Sequence, residues 1–287
     1  MLFRRKKYIL LFLTLLLPIT ANAHQPVMDM APRWDDGYGF QVRHENYGSS
    51  KLISKDSKID NSSNQKFSTN KTWFEGVYTF DKSIRATFKL PYIQKTSSTN
   101  GIKKSEEGLG DLILGLPLKY YLNKGAFTSN LSFTPSLRLP TGRSSGDLPI
   151  SDNSTDLGLS LSYSTETPKF YQLYDLFYWV NNRGDRGINE GNELGLDINL
   201  GYHPIHDNTT NTGMFIMWDI TARNHEKGIN LNGDITGSRR VHTGPVLVLY
   251  KDNMMFRAEY KFPIYEYFRT TGLSRGNELN VGIGITF

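Results

Sequence analysis

The chain has 287 residues, with 33 lysines and arginines against 28 aspartates and glutamates, and it contains no cysteine. The lack of cysteine excludes disulfide scaffolds, thiol nucleophiles and thiolate metal sites. Four of the basic residues and none of the acidic ones fall in the first 23 positions. The remainder is nearly neutral, so we predict no nucleic-acid partner.

The first 23 residues have the organisation of a cleaved export signal. A basic stretch at residues 4–7 precedes an apolar run at residues 8–17, and residues 21–23 form a small-residue cleavage motif. The apolar run is too short to cross a bilayer as a helix. We expect residues 1–23 to be removed, which leaves a chain that begins at His24. A retained amino-terminal membrane anchor is the alternative.

Residues 24–35 show no periodic pattern and include two prolines, so we expect a flexible periplasmic arm. After cleavage, His24 would carry a free α-amine beside its imidazole, and Met28 and Met30 follow it. An amine and an imidazole can chelate a metal together, and thioethers suit Cu(I). A metal-binding arm and an arm with chance ligands both stay open, and we predict no cofactor.

From residue 36 to residue 287 the sequence alternates between apolar and polar residues, as strands with two different faces do. About twelve segments repeat this pattern, each close to the length that a tilted strand needs to cross a bilayer. Residues 174–180 carry aromatic side chains on both parities, and residues 239–250 are ambiguous in parity. The segments lie near residues 38–45, 72–80, 84–90, 111–119, 127–139, 156–163, 174–180, 193–202, 214–223, 239–250, 256–264 and 279–287.

The connections between these segments alternate between long and short. Long extracellular loops and short periplasmic turns produce this rhythm in membrane barrels. The even count places both ends of the barrel on one side. The predicted fold is therefore all-β: a transmembrane antiparallel up-and-down β-barrel of about 12 strands in the outer membrane of a Gram-negative bacterium. A water-soluble β-sandwich is the alternative, but sandwich loops show no such alternation.

The last strand ends the chain on an aromatic residue. Leu279, Val281, Ile283 and Ile285 share one parity with Phe287. A terminal strand that ends in phenylalanine resembles the signal by which outer-membrane barrels are recognised for assembly. We therefore predict that Phe287 is an assembly signal, and that the barrel-assembly machinery and outer-membrane lipids are partners.

Three stretches in the middle of the chain carry a family resemblance. Residues 108–116 read GLGDLILGL and lead into Leu118-Lys119-Tyr120, while residues 136–142 and 154–159 read SLRLPTG and STDLGL. They are similar, in the same order, to elements of the meta-pathway phenol-degradation family of outer-membrane transporters. Pro117 interrupts the family pattern. The resemblance implies an outer-membrane barrel that passes small, often hydrophobic or aromatic compounds.

Charged residues on the polar parity are the candidate lumen lining. Both signs occur in similar numbers, so we expect weak selectivity between cations and anions. Alternatively, these charges pair across strands and fill the interior, since twelve strands lie between filled small barrels and open large ones. The predicted lining residues are Arg43, Glu45, Glu75, Arg85, Lys89, Asp111, Lys119, Arg138, Asp156, Glu193, Asp197, Asp219, Arg223, Arg257, Glu259 and Lys261.

The sequence thus predicts a channel for passive passage of small molecules rather than an enzyme. A closed barrel with a binding or metal-related role in its surface loops is the first alternative. An outer-membrane lipid hydrolase is the second, with His44 and a loop serine such as Ser49 as base and nucleophile. The order of these residues differs from the His-x-Ser-Asn-Gly arrangement of outer-membrane phospholipases. The sequence leaves substrate and oligomeric state undetermined.

Overall fold

The computed structural model describes residues 35–207, 209–230 and 232–287. Within these ranges no helix is long and apolar enough to cross a membrane. The strands are β1 (Gly37–Ser49), β2 (Leu52–Lys55), β3 (Ser57–Ile59), β4 (Lys66–Thr79), β5 (Arg85–Thr99), β6 (Ile102–Leu109), β7 (Leu112–Gly115), β8 (Leu118–Lys124), β9 (Phe127–Leu139), β10 (Asp156–Glu166), β11 (Phe170–Val180), β12 (Glu193–Asp207), β13 (Thr212–Ile229), β14 (Ile235–Lys251), β15 (Met254–Leu273) and β16 (Glu278–Thr286).

These strands form a closed antiparallel barrel of 12 staves, the name used here for the strand positions around the barrel. β6, β7 and β8 together make up one stave, and the β2–β3 hairpin is not counted. Apart from the β2–β3 hairpin and the break between β6 and β8, each strand pairs with the next along the chain, and the barrel closes where β1 pairs with β16 from Gly39↔Thr286 to Tyr47↔Glu278. Closure leaves no open sheet edge in lipid, where unpaired backbone groups are costly. The prediction of an up-and-down barrel of about 12 strands is confirmed.

One stave is broken into β6, β7 and β8. β5 pairs with β6 and β7 on one side, while β9 pairs with β7 and β8 on the other. The breaks fall at Gly110-Asp111 and at Leu116-Pro117. Pro117 has no N–H to donate to a ladder, which explains the second break. The GLGDL motif therefore marks an irregular stave rather than a continuous strand.

The sequence analysis missed a small hairpin, β2–β3, inside the polar stretch after β1. β2 pairs with the last part of β15, from Phe268↔Lys55 to Leu273↔Leu52. Leu52 and Ile53 are buried in this contact. β15 also runs well past the predicted segment of residues 256–264. The wall on this side of the barrel therefore continues beyond the membrane-spanning part.

The two faces of the wall differ as the alternation predicts. On β16, Ile283 is 53% exposed on the outer face, whereas Asn280 and Thr286 are buried on the inner face. The ambiguous strand, β14, exposes Leu249 outward and buries Val248 inward. Exposed Leu, Phe, Ile and Tyr side chains cover the outside of the barrel. So large an apolar surface is unfavourable in water and is favourable in contact with lipid hydrocarbon.

Candidate functional site

The interior of the barrel holds a cavity of about 1040 Å³. All but one of the predicted lining residues contact it; Asp156 is 1% exposed and lies in a hydrogen-bonded cluster beside it. The residues on the cavity wall are Arg43, Glu45, Glu75, Arg85, Lys89, Asp111, Lys119, Arg138, Glu193, Asp197, Asp219, Arg223, Arg257, Glu259 and Lys261.

Ion pairs connect the charges on the β1–β4 side of the lumen. Arg43 Nη2 lies 3.0 Å from Glu75 Oε1, and Arg43 Nη1 lies 3.8 Å from Glu45 Oε2. Arg275, in the loop before β16, pairs with Glu45 at 2.6 Å and with Glu278 at 2.8 Å. These arginines and carboxylates therefore neutralise one another.

The network continues along β15. Lys261 lies 3.0 Å from Glu259, 3.3 Å from Asp219 and 3.8 Å from Glu278, while Arg257 lies 3.2 Å from Glu259. One lysine thus joins carboxylates from three strands. Strands that are tied together inside the lumen resist rearrangement because each charge left alone would have to be solvated again.

Pairs also form across the other side of the barrel. Arg138 on β9 contacts Asp156 on β10 at 3.0 Å. Arg223 on β13 contacts Asp197 at 2.6 Å and Glu193 at 3.6 Å, both on β12. The alternative in which interior charges pair across strands therefore describes the arginines well.

Three lysines behave differently from the arginines. Lys71, Lys89 and Lys95 line the cavity from β4 and β5, and no carboxylate within the described ranges lies within ion-pair distance of them. Lys95 instead donates from Nζ to the carbonyl oxygen of Pro149 at 2.6 Å. The β4–β5 wall is thus the part of the lumen with positive charge left over.

Aromatic rings accompany the cations on opposite walls. Arg275 lies 3.6 Å from the ring centre of Tyr47, and Arg43 lies 5.4 Å from that of Trp73. On β11, Trp179 and Phe177 have Arg138 and Arg223 over their rings, at 4.5 Å and 4.7 Å respectively. β1 and β11 face each other because half of the staves separate them in the strand order. Cation–π contacts of this kind fix the ring planes.

A loop narrows the cavity between these walls. In the segment after β9, Ile150 and Ser151 are buried and line the lumen together with Asp152. The carboxylate of Asp111 holds this loop, since it accepts a bond from Ser151 Oγ at 2.8 Å and from Gly142 N at 2.9 Å. The sequence predicted a loop at residues 140–153 but gave no signal for its inward path.

A second loop places Glu190 in the cavity. The Glu190 side chain is exposed to the lumen, and the barrel wall around it displaces bulk water. This desolvation raises its pKa above the ordinary glutamate value. The nearby Asp152 carboxylate raises the pKa further, whereas Arg138 and Lys95 act against both effects. Glu190 was not among the predicted lining residues because it falls outside every alternating segment.

Near the periplasmic end, the lumen contains an apolar cluster that the alternation did not predict. Phe215, Met217, Val246, Val248 and Met255 are at most 2% exposed and pack with Tyr171 and Tyr250. Met214–Trp218 and Val246–Tyr250 carry large apolar residues on both parities. Apolar residues on both parities indicate that these strands are buried on both faces.

The residues of the hydrolase and metal alternatives lie apart from this lumen. His44 is on the outer face, with Nδ1 3.1 Å from Thr72 Oγ1, while the Ser49 hydroxyl accepts a bond from Lys51 N. No nucleophile–base pair of serine and His44 forms. In the part of the chain that the structure describes, no group of three or more His, Cys, Asp or Glu side chains could hold a metal ion. His24, Met28 and Met30 lie outside that part, as do residues 1–34 as a whole.

Comparison with known proteins identifies the family. A family model described as "Putative MetA-pathway of phenol degradation" matches residues 54–276. The chain belongs to this family. None of the curated proteins matches the sequence. The resemblance carried by residues 108–120, 136–142 and 154–159 is thereby confirmed.

Solved structures share the fold. An outer membrane channel from Pseudomonas putida F1 is 17% identical, with a TM-score of 0.71 over 94% of this chain and 100% of that chain. The transport unit of the autotransporter AIDA-I from Escherichia coli is 10% identical, with a TM-score of 0.48 over 98% and 96% of the two chains. The chain therefore has the fold of an outer-membrane β-barrel.

Proposed function

We propose that the barrel is a passive channel for small molecules, and that aromatic compounds are among its solutes. The observation that carries the proposal is the cavity of about 1040 Å³, which has charged walls of both signs inside a closed membrane barrel. The family resemblance supports a transport role, since it implies passage of small compounds. The charged residues predicted from the sequence would then form the path, with transport as their role.

The walls favour a solute that is both flat and polar. Trp73 and Trp179 project from opposite sides, each under an arginine. A ring that enters between them would meet aromatic faces and cations together. Lys71 and Lys89, which make no ion pair within the described ranges, would attract a phenolate or a carboxylate on such a ring.

Solute flux into proteoliposomes would test the proposal. We expect swelling with phenol and benzoate at rates above those for sugars of similar size. Trp73→Ala combined with Trp179→Ala should lower the preference for aromatic solutes several-fold, while Tyr120→Ala, on the outer face at 69% exposure, should leave it unchanged. Silent bilayers and no flux of any solute would rule out the channel.

The second candidate is a closed barrel that works through its loops. Two observations favour it: the apolar cluster fills part of the lumen near the periplasmic end, and the loop that carries Ile150 lines the cavity. Deletion of residues 143–152 separates the two candidates. A deletion variant that still conducts nothing in planar bilayers supports the closed barrel, whereas a rise in conductance supports a channel that the loop narrows.

A further inference from the structure

On one sector of the outer face, apolar side chains end and polar ones begin at a common level. Outward residues of β15 are apolar or aromatic from Met254 to Tyr265, and Tyr267 and Arg269 follow. At the usual rise and tilt of a barrel strand, this apolar stretch spans about 30 Å, the thickness of a hydrocarbon core. Tyr267 and Arg269 therefore lie at the headgroup level of the outer leaflet.

The two neighbouring strands change at the same level. Arg239 on β14 is the register partner of Tyr267, and Asn224 on β13 is the register partner of Arg239. Ala222 and Val241 are the next outward residues toward the membrane centre. One row across three strands thus presents an asparagine, an arginine and a tyrosine to the lipid headgroups.

A cavity of about 430 Å³ opens at this row. Ser238, Arg239, Tyr267 and Arg269 line it, together with Asn224 and its neighbours on β13 and β14. Lys55, on the β2–β3 hairpin, adds a third cation: its Nζ lies 5.9 Å from the Tyr267 ring centre and donates to the Arg269 carbonyl oxygen at 2.7 Å. The hairpin that the sequence analysis missed is what brings this lysine to the site.

The three cations have no acidic partner. Within the described ranges neither Lys55, Arg239 nor Arg269 makes an ion pair, in contrast to the lumen arginines. Arg239 uses only Nε, which donates to Asn224 Oδ1 at 3.2 Å. The one nearby carboxylate, on Glu226, already accepts bonds from Tyr178 Oη and Asn192 Nδ2.

The outer face of β1 and β4 carries no cluster of cations; Lys66, at the start of β4, is its single charged residue. Its polar contacts above the apolar surface are His44 with Thr72 and Asn46 with Asn70. A general band of interfacial residues would be similar around the whole barrel. The cations are instead concentrated on β2, β14 and β15, which indicates a localised site.

We propose that this cluster binds the phosphate group of an outer-leaflet glycolipid. Guanidinium forks match phosphate oxygens with paired, charge-assisted hydrogen bonds. The acyl chains of the same lipid would lie along the outward apolar residues directly below, such as Val241, Ile264 and Tyr265. The cations would thus bind the phosphate and the apolar residues would bind the acyl chains, so both contacts belong to one amphipathic ligand.

Native mass spectrometry of the detergent-solubilised barrel with lipid A tests the proposal. We expect Arg239→Gln combined with Arg269→Gln to weaken binding at least tenfold, and binding of wild type to weaken as salt rises. Lys103→Gln combined with Lys124→Gln removes the same charge from exposed sites elsewhere, on β6 and β8, and should change nothing. Both double variants should keep wild-type conductance, because the site lies outside the lumen.

Several results would overturn the assignment. Dephosphorylated lipid A that binds as tightly as the phosphorylated form would exclude phosphate recognition. Inorganic phosphate that binds as tightly as the lipid would exclude a glycolipid ligand. If the glutamine variant fails to fold, Arg239→Lys with Arg269→Lys keeps the charge without the fork and should weaken binding by a smaller factor. Unchanged binding in this lysine variant and equal loss in the control pair both contradict the proposal.

Discussion

At the scale of the residue, individual carboxylates hold the lumen wall together. Asp156 is 1% exposed, and its oxygens accept bonds from Arg138, from the Ser154 hydroxyl and from Asn182 N. Each bond to a charged acceptor is stronger than a neutral one. This side chain therefore joins β10 to β9 and to two loops at once.

We expect Asp156→Asn to lower the free energy of unfolding by about 1–3 kcal/mol, because Arg138 loses its ion pair while it stays partly solvated by the lumen. Asp175→Asn is the matched control, since Asp175 accepts a single side-chain bond from Ser160 and should cost less than about 1 kcal/mol. Urea unfolding from lipid vesicles measures both. Equal losses would show that the Arg138 pair adds nothing.

Glu190 gives the lumen a pH dependence. Because desolvation by the surrounding wall raises its pKa, Glu190 takes up a proton at a higher pH than an ordinary glutamate does. Its contribution to stability is therefore complete below the pKa of the unfolded chain and is lost as the pH rises through the raised folded pKa. The lumen also loses a negative charge as the pH falls.

The permeability ratio should consequently shift toward anions as the pH falls through the raised pKa of Glu190. Reversal potentials in a salt gradient, recorded across a pH series, measure the shift. We expect Glu190→Gln to show the anion-favouring ratio already at neutral pH. Glu107→Gln, on β6 and bonded to Gln94, should keep the wild-type profile. A pH-dependent shift of the permeability ratio that persists in Glu190→Gln would assign the titration to another group.

At the scale of the element, the broken stave and the inward loop depend on each other. Asp111 lies at the break between β6 and β7, and its two oxygens hold Gly142 and Ser151 of the loop. A continuous strand would extend the ladder through Asp111, whereas the break leaves this carboxylate to bind the loop. Asp111 is therefore one of the side chains that fix the position of the loop, together with Lys95.

Asp111→Ala should release this loop and raise single-channel conductance or its open-channel noise. The reason is that both hydrogen bonds of the carboxylate are lost, so that the loop keeps only its contacts farther from the break, such as the bond from Lys95 to Pro149 and the ion pair of Lys104 with Asp147. Ser151→Ala removes one of the two bonds and should give a smaller change of the same sign. Conductance that stays at the wild-type level in both variants would show that the loop does not limit flux.

The alternation predicted the strands wherever one face is apolar and the other polar, as on β16. It left β14 unresolved because Val246 and Val248 face inward with the same apolar character as the outward residues. It could not find β2, whose adjacent Leu52 and Ile53 do not alternate and are buried only by β15. Interior positions such as Glu190 and Ile150 depend on loop paths, which are fixed by contacts between residues far apart in sequence.

At the scale of the whole molecule, the barrel depends on the seam between its first and last strands. Phe287 continues the seam beyond β16: its N and O exchange hydrogen bonds with Tyr38 at 2.9 Å and 2.7 Å. Its ring lies 6.3 Å from that of Tyr38 and 5.8 Å from that of Phe40, measured between centroids. The residue predicted as an assembly signal thus also closes the barrel.

Two variants separate these roles. Phe287→Ala keeps the backbone pair and loses the ring, whereas deletion of Phe287 loses both. If the ring is read by the assembly machinery, Phe287→Ala should fold into pure lipid vesicles nearly as well as wild type yet be depleted in outer membranes. The deletion should be slower in both settings, because the seam with Tyr38 is shortened. A Phe287→Ala variant that folds equally poorly in vesicles and in cells would show that the ring acts only by packing against β1.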